Sequence, residues 1–253
     1  MRAAAGARPL AAVGVAAPGP LDHLRGLVHE APNLAGFRDV PLADDLRQLL
    51  GSPVFVDRDT VVAAFAEALF GAARGVRDFV YVTISTGIGG AIVVDGRVLR
   101  GVTGTAGEIG HWPIDPQGPR CGCGDVGHIE AIGSGHAIAQ AYGVPSAAEV
   151  FARARSGDAR AQEVVARAAR ALGDLAVGLV NVLNPARIVV GGGVATGEPS
   201  FVFDAMRSAV RERAFAVPGR AVEIVPAALG DEVGLVGALV LARERAAGRD
   251  PLA

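Results

Sequence analysis

Two cysteines and two histidines form the most distinctive chemical cluster of this 253-residue sequence. They are His111, Cys121, Cys123 and His128, and the chain has no other cysteine. Zn²⁺ prefers four soft or borderline ligands in a tetrahedron, usually cysteine thiolates and histidine nitrogens. Glycines at positions 122, 124 and 127 let the backbone turn tightly enough to bring the four together. The spacing therefore predicts a structural zinc site; two buried cysteines beside incidental histidines are the alternative.

Three carboxylates lie where they could act on a ligand that carries hydroxyl groups. Asp59 stands where a predicted strand ends and a helix begins, a position typical of a catalytic base but, from position alone, more typical of a helix N-cap. Glu108 lies three residues before His111, and Glu130 lies two residues after His128. A zinc-braced loop could hold both glutamates toward a polyhydroxy ligand. The alternative is two solvated surface carboxylates.

Two glycine-rich turns follow predicted buried strands and are candidates for binding a nucleotide. The first, residues 85–90, contains Ser85, Thr86, Gly87 and Gly89; the second is Gly191, Gly192 and Gly193. Backbone N–H groups in such turns can point at phosphate oxygens, and glycines leave room for an adenine ring. Neither turn is a P-loop or a dinucleotide fingerprint. Taken alone, a plain hairpin turn and a close strand-to-helix packing explain them equally well.

The elements that must position these residues alternate along the chain. Strands are predicted at residues 10–16, 53–56, 78–84, 187–190 and 221–226, and a hairpin turn at Asp95-Gly96. Helices are predicted at residues 61–73, capped by Asp59 or Thr60, and at 158–183, 200–214 and 231–247. Alternating strands and helices predict an α/β fold. The two glycine turns suggest a nucleotide cleft between two lobes.

Composition narrows the class of protein. Hydrophobic residues make up 51% of the chain and charged residues 20%, which allows a large core. The net charge of −2 gives no electrostatic reason to expect nucleic acid or an anionic membrane as partner. No apolar run approaches the roughly 20 residues that a membrane span needs. A soluble cytoplasmic protein is therefore expected.

Taken together, the motifs resemble the ROK family of sugar kinases, especially glucokinases, and sugar-responsive repressors. The resemblance runs nearly end to end. Its segments are APGP at 17–20, PNLAGF at 32–37, STGIGG at 85–90, GEIGH at 107–111, CGCGDVGHIEAIGSG at 121–135, NPARIVVGGG at 184–193 and LGDEVGLVGA at 229–238. The most specific part is GEIGH followed by a C-x-C-G-x-x-G-x-x-E segment.

The resemblance implies an actin-like, hexokinase-like two-lobed ATPase fold with ribonuclease H-like sheets. Residues 1–76 with 239–253 would form the small lobe, and residues 77–238 the large lobe with a zinc-binding segment at 111–128. The implied activity is ATP- and Mg²⁺-dependent phosphorylation of glucose or a related hexose. Dimers or tetramers are implied as well. The alternatives are a non-catalytic sugar-binding protein and a sugar-responsive regulator of the same family.

The resemblance also assigns roles to single positions. Asp59 matches the general base, and Glu108, His111 and Glu130 match sugar-contacting residues. His111 is also implied as a zinc ligand with Cys121 and Cys123, and His128 replaces the family's usual third cysteine. Residues 85–90 match the loop near the ATP phosphates, and Gly191–Gly193 match the adenosine region.

Three departures from the family pattern stand out. Arg58 replaces the asparagine that usually precedes the base as a sugar contact, and Val61 replaces another asparagine. The D-x-G-G-T segment that opens family members, and holds phosphate and metal, does not occur. We therefore expect a small lobe truncated at its N-terminus, with a recorded start downstream of the true one as the favoured explanation. The chain as written is expected to be a weak or inactive kinase.

Overall fold

The computed structural model describes residues 10–30 and 36–252 as three β-sheets surrounded by helices. Most of the PNLAGF motif lies outside the described residues. The predicted strands and long helices are confirmed, with shifts of at most three residues at their ends. Sequence patterns had not indicated the three short strands before residue 41 or the short helices between residues 130 and 155.

The described residues between 10 and 58 form two small sheets and one helix. In chain order its elements are β1 (Val13–Ala17), β2 (Leu21–Asp22), β3 (Leu27–Glu30), β4 (Arg38–Val40), α1 (Leu42–Leu50) and β5 (Val54–Arg58). Strands β2, β3 and β4 form an antiparallel sheet, and β1 pairs in parallel with β5. A separate apolar cluster that includes Val13, Val28 and Val56 holds this part together.

The central sheet has five strands, namely β6 (Phe79–Ile84), β7 (Ile88–Val94), β8 (Arg97–Val98), β9 (Arg187–Gly191) and β10 (Glu223–Pro226). Their order is β10–β9–β6–β7–β8, with β6, β9 and β10 parallel and β7 and β8 antiparallel to their neighbours. Asp95-Gly96 makes the predicted turn between β7 and β8. In parallel sheets, ligands usually bind beyond the carboxyl ends of the strands. Both glycine turns lie at such ends.

Helices cover the central sheet and connect its strands. They are α2 (Asp59–Phe70), α3 (Glu130–Gly133), α4 (Gly135–Tyr142), α5 (Ala147–Arg155), α6 (Ala159–Leu183), α7 (Gly193–Gly197), α8 (Pro199–Arg213), α9 (Ala216–Ala221) and α10 (Val233–Ala246). The Asp158 carboxylate caps α6 by accepting a hydrogen bond from the Ala161 N–H. Helix α6 packs on α8 and contributes Leu172, Leu175 and Leu179 to the main core. No helix in the described part of the chain is long and apolar enough to cross a membrane.

Helix α2 is buried on nearly all sides, which explains its composition. Every residue from Thr60 to Glu67 is buried, and six of these eight are apolar. Its side chains Val61 and Phe65 share a cluster with Phe79 of β6 and Val240 of α10. A Cβ added at Gly237 of α10 would lie 2.0 Å from a backbone oxygen of α2, so this close helix contact requires glycine. The packing fixes the amino end of α2, where Asp59 lies.

The bounds predicted for the two lobes stay a prediction. The predicted division at residues 238 and 239 falls inside α10, which is one continuous helix. That helix contacts β1 and β5 of the small parallel sheet and also α2.

Candidate functional site

Asp59 is the first residue of α2, directly after the last residue of β5. Its carboxylate accepts a hydrogen bond from the N–H of its neighbour Thr60 at 2.7 Å, and the N-cap position is Arg58, whose side chain makes no capping bond. The interpretation of Asp59 or Thr60 as the N-cap is therefore wrong. Solvent reaches the Asp59 side chain, but protein surrounds it on most sides. This desolvation raises its pKa, and the Glu108 charge adds to the rise.

Arg58 connects the end of β5 to the loop that carries Glu108. Its side chain is 3% exposed, and its Nη1 donates to the Glu108 carboxylate at 2.7 Å. Its Nη2 donates to the backbone oxygen of Ala106. Among the described residues, Arg58 Nε is a buried polar atom without a hydrogen-bond partner. A Cβ added at Gly19 would lie 2.8 Å from the Arg58 side chain, so the APGP turn packs directly on this arginine.

A second arginine–carboxylate pair ties the same loop to the same strand. Arg100 donates to both oxygens of Asp57, at 2.8 and 2.7 Å, and Asp57 is 1% exposed. Asp57 also accepts from the N–H of Arg58. The sequence analysis singled out neither Asp57 nor Arg100. The two ion pairs, Arg58–Glu108 and Arg100–Asp57, thus fix loop 99–108 against the end of β5.

Glu130 contacts the turn between β6 and β7. Its carboxylate accepts a hydrogen bond from the Ile88 N–H at 2.9 Å. A Cβ added at Gly87 would lie 2.5 Å from a Glu130 carboxylate oxygen, so a larger residue there would displace the Glu130 side chain. One added at Gly89 would lie 3.0 Å from the Thr60 methyl group. The turn therefore lies between Glu130 on one side and the start of α2 on the other.

The four predicted metal ligands converge. Their donor atoms all lie within 4.8 Å of one another. His111 Nδ1 and His128 Nδ1 are 3.4 Å apart, Cys121 Sγ and His111 Nδ1 are 3.6 Å apart, and Cys123 Sγ and His128 Nδ1 are 3.3 Å apart. Zinc bond lengths of about 2.0–2.3 Å in a tetrahedron give ligand separations of roughly 3.3–3.8 Å. The donor set and its spacing therefore fit zinc.

The backbone of the same segment is folded tightly. The Gly127 N–H donates to the Pro119 oxygen, and the Cys121 N–H donates to the Asp125 oxygen. Gly127 has a φ of 70°, and a Cβ there would lie 1.6 Å from the Asp115 oxygen. Gly124 also has a positive φ, 98°, whereas Gly122 does not. Two of the three glycines that the sequence singled out are thus required by the backbone conformation.

A cavity of about 660 Å³ lies at the carboxyl ends of β6, β9 and β10. Its lining includes Ser85 of the first glycine turn and Gly191, Gly192 and Gly193 of the second. Gly192 has a φ of 94°, and a Cβ there would lie 2.5 Å from the Ile84 oxygen. Tyr81, Arg207 and Asp231 also line this cavity and were not singled out from the sequence. The size and place of the cavity suit a nucleotide.

The structure thus brings the candidate residues together in two groups. The first group, Ser85, Gly191, Gly192 and Gly193, lines the cavity. The second is Asp59 and Glu108, which lie close enough for the Glu108 charge to raise the Asp59 pKa, and Glu130 contacts the β6–β7 turn at Gly87 and Ile88. Thr86, in the middle of that turn, accepts a hydrogen bond from the His136 N–H through its backbone oxygen. Glu108 and His111 also line a shallow hollow of about 330 Å³, to which Asp59 and Glu130 do not contribute.

Comparison with known proteins gives consistent matches. The family model described as ROK family matches residues 2–245. A glucokinase of Halalkalibacterium halodurans is 36% identical over 252 residues, which cover 90% of this chain and 74% of that protein. An N-acetylmannosamine kinase of Escherichia coli is 38% identical over 216 residues, which cover 83% of this chain and 72% of that protein.

A solved structure extends the similarity to the fold. The ROK family glucokinase of Streptomyces griseus, in complex with glucose and AMPPNP, matches with a TM-score of 0.81 and 33% identity. The match covers 95% of this chain and 84% of that chain. The predicted actin-like, hexokinase-like α/β fold is thereby confirmed.

Proposed function

The chain belongs to the ROK family, and on that premise we propose that it is a sugar kinase that transfers phosphate from ATP to a hydroxyl of glucose or a related hexose. The glucokinases and the N-acetylmannosamine kinase among its relatives support the sugar-kinase class. The Streptomyces griseus glucokinase, whose structure contains glucose and a nucleotide analogue, supports the two substrates.

One geometric observation carries the proposal. The β6–β7 turn contributes Ser85 to the lining of the cavity and contacts the Glu130 carboxylate through Gly87 and Ile88. The start of α2 contacts the same hairpin through Thr60 and Gly89. A nucleotide in the cavity and a sugar at the carboxylates would therefore meet at this turn. Phosphoryl transfer depends on such positioning of the two reacting groups.

In this proposal Asp59 is the general base. Its raised pKa brings a carboxylate closer to the range in which it accepts a proton efficiently. Glu108 and Glu130 accept hydrogen bonds from sugar hydroxyls and orient the attacking one toward the cavity. The turn at residues 85–87 offers backbone N–H groups and the Ser85 and Thr86 hydroxyls to the phosphates. Mg²⁺ bound with ATP would neutralise part of the phosphate charge.

The zinc site has a structural role in the proposal. His111, Cys121, Cys123 and His128 would hold the ion and leave no position open for water. The segment between them carries His128 two residues before Glu130 and places His111 three residues after Glu108. Fixing these two histidines on one ion fixes the two glutamates relative to each other. Zinc therefore braces the sugar-contacting residues rather than taking part in the chemistry.

Arg58 acts on the sugar through Glu108. Its guanidinium is buried and committed to Glu108 and Ala106, so it holds one Glu108 oxygen in place and leaves the other for a ligand. The asparagine usual at this position is shorter and uncharged. We therefore expect a hexose preference that differs from that of family members with asparagine.

A homo-oligomeric state and a cytoplasmic location also remain predictions.

The proposal is tested by sugar binding and by turnover together. ADP formation is followed with Mg²⁺, ATP and a panel of glucose, mannose, N-acetylmannosamine and galactose, and calorimetry measures the binding of each sugar. Because the sequence contains no D-x-G-G-T segment, the assay is run on this chain and on a form extended upstream in the same reading frame. ADP formation that depends on one of these sugars is expected from the extended form. Tight hexose binding by that form without ADP formation would contradict the kinase proposal and favour a non-catalytic sugar-binding protein.

A further inference from the structure

Helix α2 carries a second carboxylate, far from the proposed base. Glu67 is completely buried, and none of the roles described above involves it. A buried carboxylate is tolerated only when hydrogen bonds replace its lost hydration. The hydrogen bonds that Glu67 accepts come from backbone N–H groups. It accepts from the Ala72 N–H at 2.6 Å, from the Ala228 N–H at 3.0 and 3.1 Å, and from the Leu229 N–H at 3.0 Å.

Two of the three partners of Glu67, Ala228 and Leu229, are 161 and 162 positions away from it in sequence. Ala228 and Leu229 belong to the segment that follows β10, and residues 226–228, which run from the end of β10 into this segment, line the 660 Å³ cavity. The Ala227 N–H bonds to the Val190 oxygen of β9, which continues the sheet by one residue. The next two N–H groups turn away from the sheet and bond to Glu67. Glu67 therefore fixes the course of the chain where it forms the cavity wall.

The surroundings of Glu67 are built to admit this contact. A Cβ added at Gly71 would lie 2.1 Å from a Glu67 carboxylate oxygen, so glycine makes room for the carboxylate at the end of the helix. The Tyr81 side chain, which lines the cavity, feels the Glu67 charge, and burial together with this charge raises the Tyr81 pKa. Glu67 thus lies directly behind the cavity wall.

We propose that Glu67 is a positioning residue for the nucleotide: it holds residues 226–229 in the conformation that binds the adenosine part of ATP. This inference rests on the proposed function, because it takes the 660 Å³ cavity as the nucleotide site. Asp59 and Glu67 are eight residues apart, about 12 Å along one helix. Helix α2 therefore carries the proposed base at its first residue and the support of the nucleotide pocket near its last turn.

The test compares binding of two probes, ADP with Mg²⁺ and glucose, by calorimetry. Glu67→Gln keeps the shape of the side chain but replaces one acceptor oxygen with an NH₂ group that faces backbone donors. We expect the Kd for ADP to rise about tenfold or more, while the Kd for glucose changes less than twofold. Hydrogen exchange should accelerate in residues 226–232 and stay unchanged in β6 and β7. The exposed Glu163→Gln on α6 is the matched control and should behave like the unaltered chain.

Other outcomes overturn the inference. An unchanged Kd for ADP in Glu67→Gln does so, and so does a joint loss of ADP and glucose binding with faster exchange throughout, which would mark a general role in stability. If Glu67→Gln does not fold, Glu67→Asp, which keeps the charge but withdraws it by one methylene, must show the same selective loss in smaller measure. Failure of the unaltered chain to bind ADP while it binds glucose would instead overturn the proposed nucleotide site itself. That result appears before any variant is made, so the two failures are distinguishable.

Discussion

The Arg58 guanidinium lies 2.7 Å from the Glu108 carboxylate, which joins the residue before Asp59 to the loop proposed to contact the sugar. The Arg58 side chain is 3% exposed and the Glu108 side chain is 39% exposed. The buried arginine therefore fixes the position of Glu108, and the glutamate can still contact a ligand from its solvent-facing side. A side chain committed in this way influences a sugar through the position of Glu108.

A double-mutant cycle tests this relationship. Arg58→Ala releases Glu108, and Glu108→Gln weakens the bond from the other side, so each change alone should lower hexose affinity about tenfold. Because both remove the same contact, the double variant should lose less than the two single losses combined, with a coupling energy of about 0.5–2 kcal/mol. Calorimetry with glucose measures all four proteins. Additive losses would mean that Arg58 acts independently of Glu108.

Asp59→Asn tests the proposed base. Asparagine keeps the shape of the side chain but cannot accept a proton. In the upstream-extended form, in which turnover is expected, kcat should therefore fall about 10²- to 10⁴-fold. Glucose and ADP affinities should stay within about threefold, because the other contacts remain. Turnover comes from the ADP assay and affinities from calorimetry. Normal turnover in this variant would show that Asp59 is not the base.

The raised pKa of Asp59 makes a prediction about pH and stability. Folding favours its protonated form, so the Asp59 contribution to stability is fully present below the ordinary value of 3.8 and is lost as pH rises through the higher folded value. Asp59→Asn does not titrate, so its stability relative to the unaltered chain should increase from about pH 3.5 toward neutrality. The acid limb of kcat/KM should likewise show an apparent pKa above 3.8.

Asp158→Asn is the matched control of opposite sign. The Ala161 N–H lowers the pKa of Asp158, so the stability it contributes is present above 3.8 and is lost as pH falls through the lower folded value. The loss of stability caused by Asp158→Asn should therefore become smaller as the pH is lowered. Urea unfolding between pH 3 and pH 7 measures both variants. If the stability differences of Asp59→Asn and Asp158→Asn from the unaltered chain changed with pH in the same direction, the two pKa shifts would be contradicted.

The sequence predicted the central elements well because their signals are local. Alternating apolar strands, the long α6 pattern and the Asp95-Gly96 turn each depend on a few neighbouring residues. The metal ligands were also accessible, because the two cysteines and His128 lie within eight residues of one another. Glu67 was not accessible in this way. Its partners Ala228 and Leu229 are apolar, and their backbone N–H groups carry no sequence signal.

The same reasoning explains the missed ion pairs. Asp57 and Arg100 are 43 positions apart, and a polar residue at a strand end is usually solvated rather than buried. Only the fold places loop 99–108 against β5. The N-cap interpretation of Asp59 failed for a related reason, because the helix begins one residue earlier than the capping pattern requires.

Zinc removal should loosen the sugar side of the site. Cys121→Ser should lower the metal content from about one zinc per chain to near zero and the Tm by at least about 5 °C. Glucose affinity should fall more than ADP affinity, because the proposed ion would brace Glu108 and Glu130 and not the cavity glycines. Metal analysis, thermal unfolding and calorimetry measure these effects. His136→Asn, which alters an exposed histidine outside the quartet, is the control. A zinc-free variant that binds glucose normally would remove the bracing role.

The buried Asp57–Arg100 pair makes the sharpest stability prediction. Arg100→Met leaves a carboxylate that is 1% exposed without its charged partner, which should lower the free energy of unfolding by about 3–5 kcal/mol. Asp57→Asn combined with Arg100→Met removes the charge as well as its partner, so the double variant should recover most of that loss. Urea unfolding measures both, and Arg213→Met, which breaks an exposed pair with Asp174, should change stability by at most about 1 kcal/mol. Equal losses in the single and double variants would mean that packing by Arg100, and not compensation of the Asp57 charge, holds loop 99–108 in place.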